Sequence, residues 1–372
     1  MNGAKAYWVG FHLVKGLGPT RFRRLLETFG SLEAAWNAGP KAWREAGLSS
    51  SLIHQLRQIQ ASVDLPGLLA RWQAQGIQVL TWEDAHYPQR LRHIPQAPPV
   101  LYVRGALLPE DEWAIAVVGT RKVTAYGRQV TQEVVEVLAR QGLTVVSGLA
   151  RGVDGLAHKT ALDAGGRTIA VLGSGVDRVY PPEHRKLARR ILEQGALVSD
   201  YPPGTPPEAR NFPPRNRIIA GLSLAVVIVE AGEKSGALVT AAFAADQGRE
   251  VFAVPGSVYA PQSRGTNRLI QQGASPLLRP EDVLEALDLE LIPLRRQARR
   301  MWAPTPEEQQ VLACLGPTPL HVDEVSRQVG RPVQEVLATL ALLELKGLVR
   351  QVGGMHYVAL EGTLSSSQAE AP

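Results

Sequence analysis

The sequence predicts an α/β protein built on an extended Rossmann-like parallel sheet, with a helical region before it and a winged helix after it. Three observations carry that prediction. Between residues 113 and 288, short apolar runs alternate with helical stretches, as in a parallel sheet covered on both faces. Before residue 80, apolar residues recur at helical spacing. After residue 306, three helical stretches lead into a hairpin with a Gly-Gly turn.

The elements follow in order. Phe22, Leu25, Leu26 and Phe29 line one helix face. Leu32, Ala35 and Trp36 continue the pattern after a break at Gly30, and Ser31 can cap the next helix. Ahead of them, Gly16, Leu17, Gly18 and Pro19 make a tight turn with proline at the first helical position. That turn has two readings. One is a helix-hairpin-helix, which binds backbone phosphate through turn amides and a helix N-terminus. The other is a plain connector. Residues 81–110 are rich in proline, and the short apolar run at 100–103 is expected as an edge strand.

Sheet strands are expected at 114–118, 144–147, 168–172, 196–199, 224–230 and 251–254. The covering helices fall at 127–140, 153–163, 183–194, 236–247 and 267–272. Runs of Val, Ile, Leu and Ala suit strands buried on both faces, and the most apolar, 224–230, is expected at the centre. Residues 289–305 read as a linker and 361–372 as a polar disordered tail. The expected domains are 1–80 (helical), 81–288 (Rossmann-like) and 306–360 (winged helix, with helices at 307–315, 322–329 and 333–346).

Composition narrows the function classes. The chain has 372 residues, enough for two to three domains, and 45% apolar with 20% charged residues marks a globular protein. A single cysteine, Cys314, excludes an intramolecular disulfide, argues against a cysteine metal centre, and is expected in the core. The 8 histidines show no ligand-like clustering. No apolar run is long enough to span a membrane and no signal-peptide core is present, so a cytoplasmic location is expected. The net charge of +5 divides unevenly: +5 over residues 1–110, +5 over 111–280 and −5 over 281–372. The basic excess points to an anionic partner for the front of the molecule.

Open parallel sheets bind ligands at the carboxyl ends of their strands. Those ends carry small, flexible residues here: Gly119 and Thr120 before Arg121, Ser147 and Gly148, Gly173 to Gly175, Lys234 to Gly236, and Pro255 to Ser257. Several such loops at one edge would make a phosphate-binding crest. The dinucleotide fingerprint is incomplete, because Gly173 and Gly175 lack the third glycine, and Lys234-Ser235 lacks the P-loop spacing. No cofactor is expected. The stretch Arg210, Asn211, Phe212, Pro213, Pro214, Arg215, Asn216, Arg217 places three arginines around one aromatic before an apolar helix start at Ile218. Single-stranded nucleic acid is bound by that combination, a base stacking while cations neutralise the backbone. The alternative is a solvated loop whose arginines pair with nearby acids.

Catalytic sets are poor. Ser147, Asp154 and His158 lack the G-x-S-x-G elbow, and Asp154 and His158 are expected as a helix-surface ion pair or a buried hydrogen bond. Asp177, Asp200 and Glu230 also sit at strand ends. Glu230 is the carboxylate to test if the protein were a nucleotide-processing enzyme.

These motifs, in order, resemble the DprA/Smf family of DNA-processing proteins. The matching residues are Val118-Gly-Thr-Arg121, Ser147-Gly-Leu-Ala-Arg-Gly-Val-Asp154, Leu172-Gly-Ser-Gly-Val-Asp177 with Tyr180-Pro181, Ser199-Asp-Tyr-Pro-Pro-Gly204, the run from Asn211 to Ser223, Lys234-Ser-Gly236 and Val254-Pro-Gly256. The resemblance covers about residues 80–288 densely and the flanks loosely. It implies a SAM-like helical bundle over residues 1–80. It implies a binding protein, not an enzyme. It implies single-stranded DNA and the recombinase RecA as partners in natural transformation, and a homodimer formed through the Rossmann-like domain. It further implies that Arg121, Arg210, Phe212, Arg215, Asn216 and Arg217 line a DNA pocket closed by Ser147, Gly148, Lys234, Ser235 and Gly236. Some members carry a lysine three residues before the Phe; Ala209 stands there here, and Arg210 follows it. The winged helix is acidic, a poor phosphate surface, and is expected to serve protein interaction or to be dispensable rather than to read duplex DNA.

Overall fold

The structure is a computed structural model and describes residues 2–289, 304–316, 319–346 and 348–359. The expected tail, and the expected linker apart from residues 289, 304 and 305, lie outside the described residues. The chain divides into two compact units, Met1–Glu290 and Leu291–Pro372.

The first unit begins with six helices: α1 (Asn2–His12), α2 (Pro19–Phe29), α3 (Leu32–Asn37), α4 (Gly39–Glu45), α5 (Ser50–Ser62) and α6 (Leu65–Ala74). Side-chain caps fix their starts: Ser31, Ser49 and Asp64 accept from the amides of Ala34, Leu52 and Gly67. Gly16, at φ +90°, makes the turn before α2 in a conformation that favours glycine. These helices do not close a core of their own. Trp8, Phe11, Phe22 and Trp43 belong to one buried cluster with Tyr102, Leu172 and Leu197 of the sheet region.

Nine strands form one sheet: β1 (Ile77–Thr81), β2 (Val100–Gly105), β3 (Ala114–Val118), β4 (Thr144–Ser147), β5 (Thr168–Val171), β6 (Ala196–Ser199), β7 (Ala225–Ile228), β8 (Glu250–Ala253) and β9 (Ser275–Pro276). Their order is β1-β2-β6-β5-β4-β3-β7-β8-β9. From β6 to β9 every pairing is parallel, whereas β1 pairs antiparallel with β2, and β2 with β6. The strands expected between 114 and 254 thus form a parallel core, and β1 and β2 extend it into a mixed sheet. The run at 100–103 is not an edge strand. It lies inside the sheet because β1, unforeseen in the sequence, covers its outer side. Nor is β7 central; it is third from the β9 edge. Apolarity reports coverage on both faces rather than rank, since β3, β4, β5, β6 and β7 are all buried throughout.

The crossover helices are α8 (Ala125–Arg140), α9 (Val153–Asp163), α10 (Arg185–Gln194), α11 (Phe212–Gly221), α12 (Gly236–Asp246) and α13 (Arg264–Gln271), with the short α7 (Gln89–Arg92) and α14 (Asp282–Ala286) at the flanks. The stretch expected as a loop before Ile218 is helical from Phe212, because Pro213 and Pro214 occupy the first turn, where a missing amide costs nothing.

The second unit has α15 (Pro306–Ala313), α16 (Val322–Val329) and α17 (Val333–Leu345), with strands β10 (Leu320–His321), β11 (Val349–Gly353) and β12 (His356–Ala359) in the order β10-β12-β11. A reciprocal cap between Thr305 and Glu308 starts α15. Val311, Val325, Leu340, Leu343 and Tyr357 fill the core. Cys314 is half-buried at its rim rather than inside it, its thiol donating to the Gln310 carbonyl oxygen.

Candidate nucleic-acid interface

The chain leaves β3 through β4, β5 and β6 on one side and returns to β7 on the other. Such a reversal opens a crevice at the carboxyl ends of β3 and β7. The loops that meet there are bound together. Thr120 donates its amide to the Glu230 carbonyl oxygen at 2.7 Å, and Thr124 donates its amide and hydroxyl to the Glu230 carboxylate at 3.0 and 2.5 Å. Thr124 also caps α8 through the Gly127 amide. Glu230 is buried and its carboxylate holds the Arg121 loop in place. Each of its oxygens accepts a bond from Thr124, which gives it a structural task.

Beside that crevice, the β4 and β5 loops are clamped from α11 by Arg215. Its guanidinium donates to the carbonyl oxygens of Gly148, at 2.8 Å, and Val171. Burial lowers this group to about 10, against the pull of Asp154 and Asp200, so it remains a cation at neutral pH. Asp154 lies on the same glycine. It accepts from the Gly148 amide at 3.1 Å and the Ala150 amide at 3.4 Å, and burial raises its carboxyl against those bonds and Arg215. A Cβ on Gly148 would fall 2.6 Å from the Arg215 guanidinium and 2.7 Å from the Asp154 carboxylate, so glycine is required for packing. Asp154 and His158 do not form the surface ion pair considered from sequence. Both are buried, and His158 bonds Thr168 Oγ1 at 2.7 Å instead. Leu149, between these anchors, holds φ +56°, strained for a leucine.

Arg217 is likewise drawn inside. Its guanidinium pairs with Asp200 at 2.7 Å and donates to the carbonyl oxygens of Gln96 and Pro214. Ser147 is fully buried and donates to the Val117 carbonyl oxygen. Of the arginines grouped by sequence, two therefore brace the site from below. The periodicity of α11 explains it: Arg215 and Arg217 share a helix with Ile218 and Ile219, which bury against the sheet.

The outer surface holds the rest. Phe212 is half-buried, and its ring centroid lies 5.6 Å from Tyr180 at 44°. The ring crosses Gly173, whose Cβ would fall 2.9 Å from it, so glycine there is what lets the ring lie down. Arg210 is exposed and paired with Glu208 at 2.6 Å. An exposed pair of this kind is worth at most about 1 kcal/mol and yields readily to another anion. Arg121 and Lys234 are exposed, and neither has a carboxylate within 4 Å among the described residues. Asn216 donates to the Gly236 carbonyl oxygen at 3.2 Å, tying α11 to the start of α12, where Ser235 caps the helix. A Cβ on Gly236 would meet open space.

Tyr180 was not among the sequence candidates, although its position just past the Gly173–Gly175 loop carried the signal. Among the described residues, no group of three or more His, Cys, Asp or Glu could hold a metal, and no helix is long and apolar enough to cross a membrane.

Comparison with known proteins agrees with this architecture. The family model for DNA recombination-mediator protein A matches residues 78–288, and the DprA winged-helix model matches 297–355. Protein Smf of a Synechocystis strain is 36% identical over 96% of this chain and 99% of its own length. Protein Smf of Escherichia coli is 45% identical over 74% of this chain and 75% of its own. The crystal structure of DNA processing protein A from Streptococcus pneumoniae superposes with a TM-score of 0.67 at 33% identity, covering 75% of this chain and 97% of that one. A structure described as giving the single-stranded DNA binding mode of DNA processing protein A from Helicobacter pylori superposes with a TM-score of 0.52 at 30% identity, covering 57% and 95%. With its central sheet, its winged helix and nearly its full length matched, the chain belongs to the DprA/Smf family of DNA recombination mediators.

Proposed function

We propose that the protein binds single-stranded DNA at the carboxyl edge of its sheet and hands it to RecA for recombination during natural transformation. In this reading bases stack on Phe212 and Tyr180 while Arg121, Arg210 and Lys234 neutralise the backbone. Arg215, Asn216, Arg217, Ser147, Gly148, Ser235 and Gly236 hold those groups in place. The observation that carries the reading is an aromatic pair, half-buried Phe212 against exposed Tyr180, with exposed cations nearby, beside the crevice where the strand order reverses. Family membership supports mediation by binding rather than catalysis. RecA as the recipient, and a homodimer formed through the Rossmann-like domain, rest on the family resemblance. The domain division at 1–80, 81–288 and 306–360 is offered in the same sense.

For the winged helix we infer a protein-facing or dispensable role. The exposed positions of α17 include Gln334, Glu335, Ala338, Ala341 and Leu342, with no Lys or Arg among them. A helix reading duplex DNA needs cations there.

The test is a salt-dependent titration with single- and double-stranded oligonucleotides. Single-strand preference and a steep salt slope are expected, with weaker binding in Arg121→Ala and Phe212→Ala. Equal affinity for both strands would overturn the reading.

A further inference from the structure

A second cationic surface extends from Arg121 onto residues not assigned so far. A groove of about 550 Å³ runs between α8, α9 and α10, starting at Arg121. Lys122, Arg128, Lys159 and Lys186 stand along it, all exposed. None of these four, nor Arg121, has a carboxylate within 4 Å among the described residues. By contrast Arg190, at the same groove, pairs with Asp163, and Arg151 with Glu183. Five uncompensated cations crowding one concavity repel one another, and an anion relieves that repulsion. Half-buried Val123, Leu156 and Leu187 also line it, and the carboxylate that lines it, Glu183, is the one already paired with Arg151. None of the lining residues is Phe, Tyr or Trp, so the groove offers charge but no stacking platform.

Arg121 belongs to both places. It lines this groove, and its charge is felt by Arg215 beneath the Phe212 platform. We propose that the groove holds the phosphate backbone of the same single strand beyond the stacking platform. The strand then passes over Arg121 instead of ending there, and the groove contributes affinity without base preference. This rests on the single-strand reading above. It divides the bound strand into a stacked part, held by Phe212 and Tyr180, and a backbone-only part, held by Lys122, Arg128, Lys159 and Lys186.

The test compares oligothymidylates of about 4 and about 16 nucleotides on the full chain and on a Lys159→Ala/Lys186→Ala variant. Both lysines are exposed, and circular dichroism checks that the variant is folded. The short strand is expected to bind both proteins alike. The long strand is expected to bind the variant roughly tenfold more weakly at about 0.15 M salt, with a salt slope shallower by about 1.4, for two lost phosphate contacts. Unchanged affinity and slope for the long strand would overturn the proposal. So would an equal loss for the short strand, which would put the groove inside the primary contact. Competition by inorganic phosphate that the variant abolishes would overturn it too, marking a site for free phosphate. Failure of the unmodified protein to bind either strand would instead overturn the single-strand reading itself.

Discussion

Phe212 can lie across the β5 loop because residue 173 has no side chain. Replacing that glycine with alanine would place a methyl 2.9 Å from the ring and tilt it off its seat. Gly173→Ala is therefore expected to weaken single-strand binding while leaving the melting temperature nearly unchanged. Phe212→Ala should cost about 1–3 kcal/mol of binding, read by fluorescence titration, and Phe212→Trp should retain it. Arg217 behaves in the opposite way. Its loss leaves Asp200 buried, with one carboxylate oxygen already lacking a hydrogen bond among the described residues. Arg217→Ala should thus lower unfolding free energy by about 3–5 kcal/mol in a urea titration. A full effect on DNA without that loss would place its guanidinium on the strand. The sequence made all the arginines look equivalent, because composition counts charges and is blind to which helix face they occupy. Arg210 precedes α11 and stays exposed, whereas Arg217 lies on α11 and is buried, and the start of that helix was hidden by its prolines.

At the scale of elements, the expected parallel strands were legible because residues buried on both faces are uniformly apolar. β1 was not. Its run of Ile77, Gln78, Val79 and Leu80 follows a helix with only Gly76 to mark the break, and pairs with a partner that lies beyond a proline-rich stretch. Pairing across such distance leaves no local mark. The winged helix was legible to within a residue or two for its helices, since caps and glycines mark them. One pair in it is invisible from spacing, Glu308 with Lys346 at 2.5 Å. Burial opposes ionisation of Glu308, and Lys346 with the Thr305 amide overcomes it, so the carboxyl is held below its usual range. Glu308→Ala should destabilise the winged helix by about 3–5 kcal/mol, seen as an early calorimetric transition, with single-strand affinity unaltered. A parallel fall in affinity would show that this unit takes part in binding.

At the scale of the molecule, the helical region is joined to the site by burial. His12 of α1 bonds the Tyr102 hydroxyl at 3.0 Å and feels both Asp200 and Arg217. Burial lowers His12 to about 4 and His158 to about 3, so both are neutral in the folded chain. In the unfolded chain each takes a proton near pH 6.5. Their contribution is complete above pH 6.5 and shrinks as pH falls, by about 1.4 kcal/mol per pH unit for each group. The loss from His12 levels off near pH 4 and that from His158 near pH 3. Urea midpoints followed from pH 7 to pH 4 should therefore decline, and His12→Gln should flatten the decline by one group's share. Identical slopes would mean that His12 is already protonated, or still wet, in the folded state.

The core that Trp8, Phe11 and Phe22 share with Leu197 also sets a schedule. During synthesis α1 to α6 emerge first, while the last strand that completes their burial follows more than a hundred residues later. At about 5–20 residues per second that interval is roughly 6 to 25 seconds. Through it the aromatic cluster of these helices lacks its last partners from the sheet, for longer than a helix or hairpin takes to form by many orders of magnitude. The opening fifth of this chain thus stays incompletely buried until β6 comes off the ribosome.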